Sequence, residues 1–384
     1  MKSKTLFLLL AAGPGIFSKA PAQIASTNPP APARPSIVFV QCHGLGYGDL
    51  SCYGQQLFQT PNLDRLAAEG VRCTSYFAGN IGASPSPEVL MFGKNSNPAK
   101  GEPNFAQRLQ QAGYHTGLIG EWALGDAPWT QGFDEFAGFI HDEEGRNYFS
   151  DFIWRYDPKG NIDWTNNVIR PWVGKEMIYA NTGGQKGRYV PEILVNAACA
   201  FININHPDQF NGQRPFFLLL NLPEPRSAHA GGDDFTVTSD APYSDEPWPQ
   251  AAKNRAALLG HVDSSIARIA AQLATDRMTN NVLFIFASSA PPEKFANTNL
   301  NFLQPNGTAI TAKDRAAAPL PLILRWPGTI PPAQINTNEI SAADIAPTLL
   351  ETAVGKVPET FSGQSLLTAL TGIGQPNQSA APQK

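Results

Sequence analysis

The sequence predicts an α/β protein built on a large, mostly parallel sheet with helices on both faces. Three observations point there. Apolar runs at 37–40, 215–220, 282–287 and 320–326 have strand length and enough apolar character to be buried on both sides. Leu259, Val262, Ile266, Ile269 and Leu273 recur at spacings of three and four, the stripe of an amphipathic helix. Predicted helices and strands alternate along the chain, as they do when crossover helices join parallel strands.

The elements follow in order. Lys2 and Lys4, the apolar core 6–12 and the small residues Ala20-Pro21-Ala22 read as a secretory signal over 1–22. Its core is too short to span a bilayer, and no other segment is long enough. Residues 23–34, rich in Pro and Ala, read as a linker, 35–372 as the folded domain and 373–384 as a disordered tail. The implied destination is secreted or periplasmic. The strand at 37–40 breaks into Gly44, Gly46 and Gly48, a turn in which the backbone can approach a ligand. The loop after a central strand is where α/β proteins usually place ligands. Thr60 is placed to cap a helix that has Pro61 at its first position and ends at Gly70; a strand follows at 71–78. Helices are expected at 86–92 and 104–112, and a strand at 114–119. Residues 125–182 show no clear period, which predicts long loops over one end of the sheet. A helix at 191–203 precedes the strand at 215–220, and a helix at 343–353 is closed by Gly355.

With 384 residues and 42% hydrophobic content the chain can bury a full core; 33 glycines and 34 prolines predict many loops. A formal net charge of -4 and the lack of any basic run exclude a nucleic-acid partner. Cys42, Cys52, Cys73 and Cys199 show no metal-ligand spacing; export permits disulfides, and free buried thiols fit the apolar surroundings as well. Asp142-Glu143-Glu144 after His141 reads as a solvated acidic loop or, less simply, a cation site. The oligomeric state is not encoded in any motif.

The stretch PSIVFVQCHGLGYGDLSCYG, from Pro35 to Gly54, resembles the opening strand and metal loop of the sulfatases, in the alkaline phosphatase superfamily. TPNLDRLAAEGVR at Thr60, GYHTGLIGEWALG at Gly113, QGFDEFAGF at Gln131, PFFLLL at Pro215, LFIFASS at Leu283, LILRWPG at Leu322 and ADIAPTLLE at Ala343 are similar to later landmarks of that family, in its order. The resemblance implies a sulfatase-like sandwich around a large sheet. The small C-terminal sheet of the family is expected to be missing or vestigial, because the chain stops soon after Ser365-Leu366-Leu367.

The family chemistry needs a divalent cation on oxygen ligands and a formylglycine nucleophile made from the cysteine of C-x-P-S-R. Lysines and histidines hold the sulfate and protonate the leaving oxygen. Carried over by position, that set is gone here. Two metal aspartates become His43 and Gly44, and the Asp-Asn pair becomes Ser289 and Ala290. The nucleophile segment reads Ala83-Ser84-Pro85-Ser86-Pro87, leaving a methyl at Ala83 and Pro87 in place of arginine. G-K-W-H-L-G reads Gly120-Glu121-Trp122-Ala123-Leu124-Gly125, and A-P-H reads Glu224-Pro225-Arg226. The former pocket therefore keeps one acid, Glu121, and one base, Arg226, beside His43. The sequence assigns no catalytic, cofactor or metal residue and expects neither calcium nor formylglycine. It predicts a pseudoenzyme with a binding or scaffold role, its ligand an anionic small molecule or glycan held by Arg226. The alternative reading is a hydrolase working through Ser84 or Ser86 with His43 and Glu121, and a third is a structural remnant.

Overall fold

The computed structural model describes residues 34–79, 86–122, 124–163, 168–229, 234–292 and 318–371. At the centre is β1 (Ser36–His43), whose first seven residues are buried. The strands β2 (Val71–Phe77), β3 (His115–Glu121), β4 (Glu135–Phe139), β5 (Phe152–Asp163), β6 (Val168–Met177), β7 (Phe216–Leu222), β8 (Val282–Ala290), β9 (Leu320–Arg325), β10 (Gln334–Asn336) and β11 (Ile340–Ser341) complete an eleven-stranded sheet. Their order is β10-β2-β9-β8-β1-β7-β3-β4-β5-β6, with β11 beside β2. The five strands β8, β1, β7, β3 and β4 run parallel, and β9 and β5 turn antiparallel on either side of them. The sheet is mixed, with its parallel part at the centre where the sequence is most uniformly apolar.

Helices cover both faces. They are α1 (Pro61–Ala68), α2 (Pro87–Phe92), α3 (Phe105–Gln111), the single turn α4 (Asp142–Gly145), α5 (Val190–Asn205), α6 (Gln250–Thr275), α7 (Ile345–Val354) and α8 (Leu367–Thr371). Because side chains alternate across a strand, β1 feeds two cores. Val38, Val40 and Cys42 pack with Leu63 of α1, Leu194 of α5 and Leu259 and Val262 of α6. Ile37 and Phe39 face the other way, towards Leu90 of α2, Leu109 of α3 and Leu349 of α7. Burying each such side chain stabilises the fold by roughly 1.5–3 kcal/mol before the loss of chain entropy is counted.

Two local expectations are corrected. The Thr60 hydroxyl does not cap α1; it accepts from the Ser51 main-chain N–H at 3.0 Å. The first N–H groups of α1 are instead satisfied across the core, where Asp263 of α6 accepts from Asn62 at 3.0 Å and Leu63 at 2.9 Å. Residues 125–182 are not long loops throughout, since they hold β4, α4 and the antiparallel β5–β6 pair. Phe152, Trp154 and Tyr156 do alternate on one face of β5, opposite Met177, Lys175 and Val173 of β6. A register shift between Asp157 and Asn161 then breaks the period. At the far end, Gly355 closes α7 in the left-handed conformation, φ 72°, as the sequence predicts.

All four cysteines are free thiols. Burial, and secondarily the nearby Glu224, pushes the Cys42 thiol well above its ordinary range. Among the described residues no helix is long and apolar enough to cross a membrane. The signal, linker and tail segments lie outside the described residues, apart from Arg34.

Candidate functional site

The C-terminal ends of β8, β1, β7 and β3 lie side by side, and the former-pocket positions sit on them. His43 ends β1 and stands opposite Ala290 after a shift of register. The His43 N–H donates to the Glu224 carbonyl at 3.0 Å, and the Gly44 N–H to the Ala290 carbonyl at 3.1 Å. The Ser289 hydroxyl donates to the Cys42 carbonyl at 3.2 Å and the Ser288 hydroxyl to the Ala290 carbonyl at 2.8 Å. His43, Gly44, Ser289 and Ala290 are thus brought together, and main-chain hydrogen bonds sew β1 to β8 at this point.

Glu121 ends β3, and Arg226 lies in the loop after β7, 105 residues further on. The Arg226 guanidinium pairs with Glu121 Oε1, and the two residues are 2% and 3% exposed. Two glycines shape this contact. Gly44 has φ +84°, and a Cβ there would stand 3.2 Å from the Arg226 Cβ. A Cβ on Gly145, at the end of α4, would stand 1.8 Å from Glu121 Oε1. The Tyr148 hydroxyl donates to the Arg226 carbonyl at 2.7 Å and fixes the loop from behind. The base that the sequence offers for holding an anion therefore already holds one, from its own chain.

Of the remaining predicted positions, Pro87 is described and does not join this pair. Pro87 opens α2, where the Ser86 hydroxyl accepts from the Val89 N–H at 3.3 Å and lies 3.0 Å from Glu88 Oε2. That is a helix cap, and it gives Ser86 a structural role in place of the nucleophile role in the hydrolase reading. Ala83, Ser84 and Ala123 lie outside the described residues. Asp142–Gly145 forms the turn α4.

Two groups at the site, Arg255 and Glu224, carry roles that the sequence did not reveal. Arg255 of α6 is 1% exposed; its Nη2 donates to Asp49 Oδ2 at 2.6 Å and to the Gly44 carbonyl at 3.0 Å. Its Nη1 donates to the Pro225 carbonyl at 3.0 Å. A signal was available, because Arg255 precedes Leu259 and Val262 by one and two turns on the apolar face of α6. Glu224 is fully buried, and its Oε1 accepts from the Tyr189 hydroxyl. Its Oε2 has no hydrogen-bond partner among the described residues. Burial pushes its pKa from an ordinary 4.5 up to about 8 against the opposing Tyr189 hydrogen bond, with the charge of Glu192 adding to the rise. Glu224 is therefore a neutral acid at pH 7.

The divalent cation implied by the resemblance needs about six to eight oxygen ligands, mostly carboxylates. The positions that would hold it supply an imidazole, a glycine, an alanine and a serine hydroxyl directed at a carbonyl. The nearby Glu121 carboxylate is neutralised by Arg226. Among the described residues, no group of three or more His, Cys, Asp or Glu is placed to hold a metal ion. This donor set does not fit calcium.

Comparison with known proteins agrees with the resemblance. The family described as Sulfatase matches residues 35–356. An arylsulfatase of Hemicentrotus pulcherrimus is 24% identical over 385 residues, covering 90% of this chain and 64% of that protein. Arylsulfatase A of Homo sapiens is 27% identical over 409 residues, covering 98% and 73%. The chain thus spans about two thirds to three quarters of these relatives. The structure of Ps i-CgsB in complex with k-i-k-neocarrahexaose superposes with a TM-score of 0.64 at 21% identity, covering 88% of this chain and 76% of that one. A protein solved with its substrate D-glucosamine-2-N,6-O-disulfate gives a TM-score of 0.61 at 21% identity, covering 90% and 82%. The likeness of the structures supports the shared fold, and the family match extends over most of the chain, from the opening strand through α7: the chain belongs to the sulfatase family.

Proposed function

We propose that this chain is an exported pseudoenzyme of the sulfatase family, which keeps the scaffold and acts by binding. The observation that carries this reading is the buried Arg226–Glu121 pair, standing where the family gathers charge for sulfate and cation. Hydrolysis of a sulfate ester on this scaffold needs a nucleophile and an electrophilic centre that neutralises the sulfate group under attack while the alcohol oxygen leaves. Ala83 offers a methyl, Pro87 no charge, and Glu121 repels an anion where the family places a lysine. The ligand class is an anionic glycan or small anionic molecule; His43 and Arg146 are half-buried. The saccharides bound by two structural neighbours support that class by analogy of fold alone. Export rests on Lys2, Lys4 and the apolar core 6–12; a mature chain beginning at Gln23 is the expected product, and intact Met1 on protein from the native host contradicts it.

The test restores the nucleophile. The full chain carrying Ala83→Cys and Pro87→Arg, made in a host that converts such cysteines to formylglycine, is assayed with a chromogenic aryl sulfate and calcium. No turnover above the unmodified chain is expected, because groups that act as a unit do not recover singly. Metal-dependent turnover that disappears when Ala83 is put back contradicts the proposal.

A further inference from the structure

We infer that the outer strand pair of the sheet, β5 and β6, carries a glycan-binding platform, on which Trp154 takes the C–H face of a sugar ring and Lys175 a sulfate on that sugar. The inference rests on the ligand class of the proposed function and names a surface for it. Side chains alternate across a strand, so Phe152, Trp154 and Tyr156 share one face of β5, opposite Met177, Lys175 and Val173 of β6. The three rings span about 14 Å along the strand, the reach of a short oligosaccharide. The face is open to solvent: Val173 and Met177 are 49% and 41% exposed, and the rings are half-buried. Neighbours hold the rings in place. Trp154 meets Phe152 edge-on at 6.4 Å, and Tyr156 stacks on Trp129 at 5.2 Å. Rings fixed in this way offer apolar contact at little entropic cost. A pyranose supplies the matching flat C–H face, with polar groups round its rim. The Lys175 ammonium stands 3.6 Å from the centroid of the Phe152 ring and 5.1 Å from that of Trp154. It is the one charge among the six side chains of this face, and among the described residues it has no carboxylate partner. Glu176 lies on the opposite face and pairs there with Arg155 at 3.0 Å. Glu144 of α4 meets Trp154 at the indole N–H, 3.5 Å from Oε1, which is the edge of the ring and not its face. An unpaired ammonium beside aromatic rings is complementary to a sugar that carries an anion. A bilayer is a poorer fit, because Trp154 and Tyr156 pack against the core and do not project from it. A second copy of the chain is also a poorer fit, since lysine is depleted from the centre of protein interfaces. Trp154 pairs with Gly138 of β4, and Gly138 with Gly120 of β3, the residue before Glu121. The platform therefore starts at the end of the sheet that carries the former-pocket positions.

The experiment titrates the full-length wild type, Trp154→Ala, Lys175→Gln and Lys175→Glu with oligosaccharides of heparin, of dextran sulfate and of neutral dextran at one ionic strength. Wild type is expected to bind at least one sulfated probe, and to bind dextran sulfate more tightly than dextran. Trp154→Ala should weaken sulfated-probe binding about tenfold or more, the scale of losing an aromatic anchor. Lys175→Gln should weaken it about threefold, the scale of an exposed ion pair, and Lys175→Glu should weaken it further. Neither lysine variant should change the response to neutral dextran. Wild-type affinity in all three variants overturns the platform and leaves the proposed binding role to another surface. No binding of any probe by wild type overturns the platform together with the glycan class. If Trp154→Ala does not fold, the variants at exposed Lys175 decide. Phosphatidylserine vesicles or self-association that these variants abolish, with glycan binding intact, assign the face to a bilayer or a second copy and overturn the inference.

Discussion

Two buried arginines, Arg255 and Arg226, each hold a carboxylate, and their surroundings differ. Arg255 reaches Asp49 at 2.6 Å and the carbonyls of Gly44 and Pro225 at 3.0 Å, while Asp49 also accepts from the Gly46 N–H at 2.6 Å. It is a strut that ties α6 to the loops leaving β1 and β7. Arg226 and Glu121 instead neutralise each other at the ends of β7 and β3. Asp49 belongs to the stretch 45–50 that keeps the family pattern, whereas Glu121 and Arg226 stand where the chain departs from it. The scaffold is kept where a charge holds backbone and altered where a charge would hold a ligand.

Paired substitutions test that contrast most strongly. Arg255→Met leaves Asp49 buried without its cation and should cost about 3–5 kcal/mol in urea unfolding. Adding Asp49→Leu should not restore wild-type stability, because the Gly44 and Pro225 carbonyls and the Gly46 N–H lose their partners. In the other pair, Arg226→Met alone should cost about the same 3–5 kcal/mol, and Glu121→Leu/Arg226→Met should recover more of that loss than Asp49→Leu/Arg255→Met does. Equal recovery of both double variants would erase the distinction between the two pairs.

Glu224 sharpens the comparison at smaller amplitude, as a buried carboxyl that answers burial by keeping its proton. Between pH 4.5 and about 8 the folded chain holds a proton that the unfolded chain has released. Stability contributed by this group therefore falls as pH rises through that window, by up to about 1.4 kcal/mol per unit, and levels off above it. Glu224→Gln should flatten this part of the pH dependence of unfolding. An unchanged slope would mean that Glu224 is ionised in the fold.

The sheet was legible because β1, β7, β8 and β9 are buried on both faces and read as unbroken apolar runs. The β5–β6 pair was not, since its alternation is carried by aromatics and broken by a register shift. At the site, the departures from the family pattern are a reading of the sequence by position, and the structure adds that His43, Gly44, Ser289 and Ala290 lie together where β1 meets β8. The contact between Glu121 and Arg226 could not, because only the fold brings together residues 105 apart in the chain. Likewise, the sequence assigns Glu224 no role, and the structure buries it with its carboxyl against the Tyr189 hydroxyl.

The central claim, that this sulfatase-family cleft no longer handles charge through a cation, is tested most directly by calcium titration of the full chain followed by thermal unfolding. His43, Gly44, Ser289 and Ala290 place no carboxylate at the family's metal positions, and Glu121 is already paired. The melting temperature is predicted to stay constant from metal-free buffer to millimolar calcium, since a ligand specific for the native state would raise it. A saturable calcium-dependent rise that is abolished by His43→Ala would contradict the account.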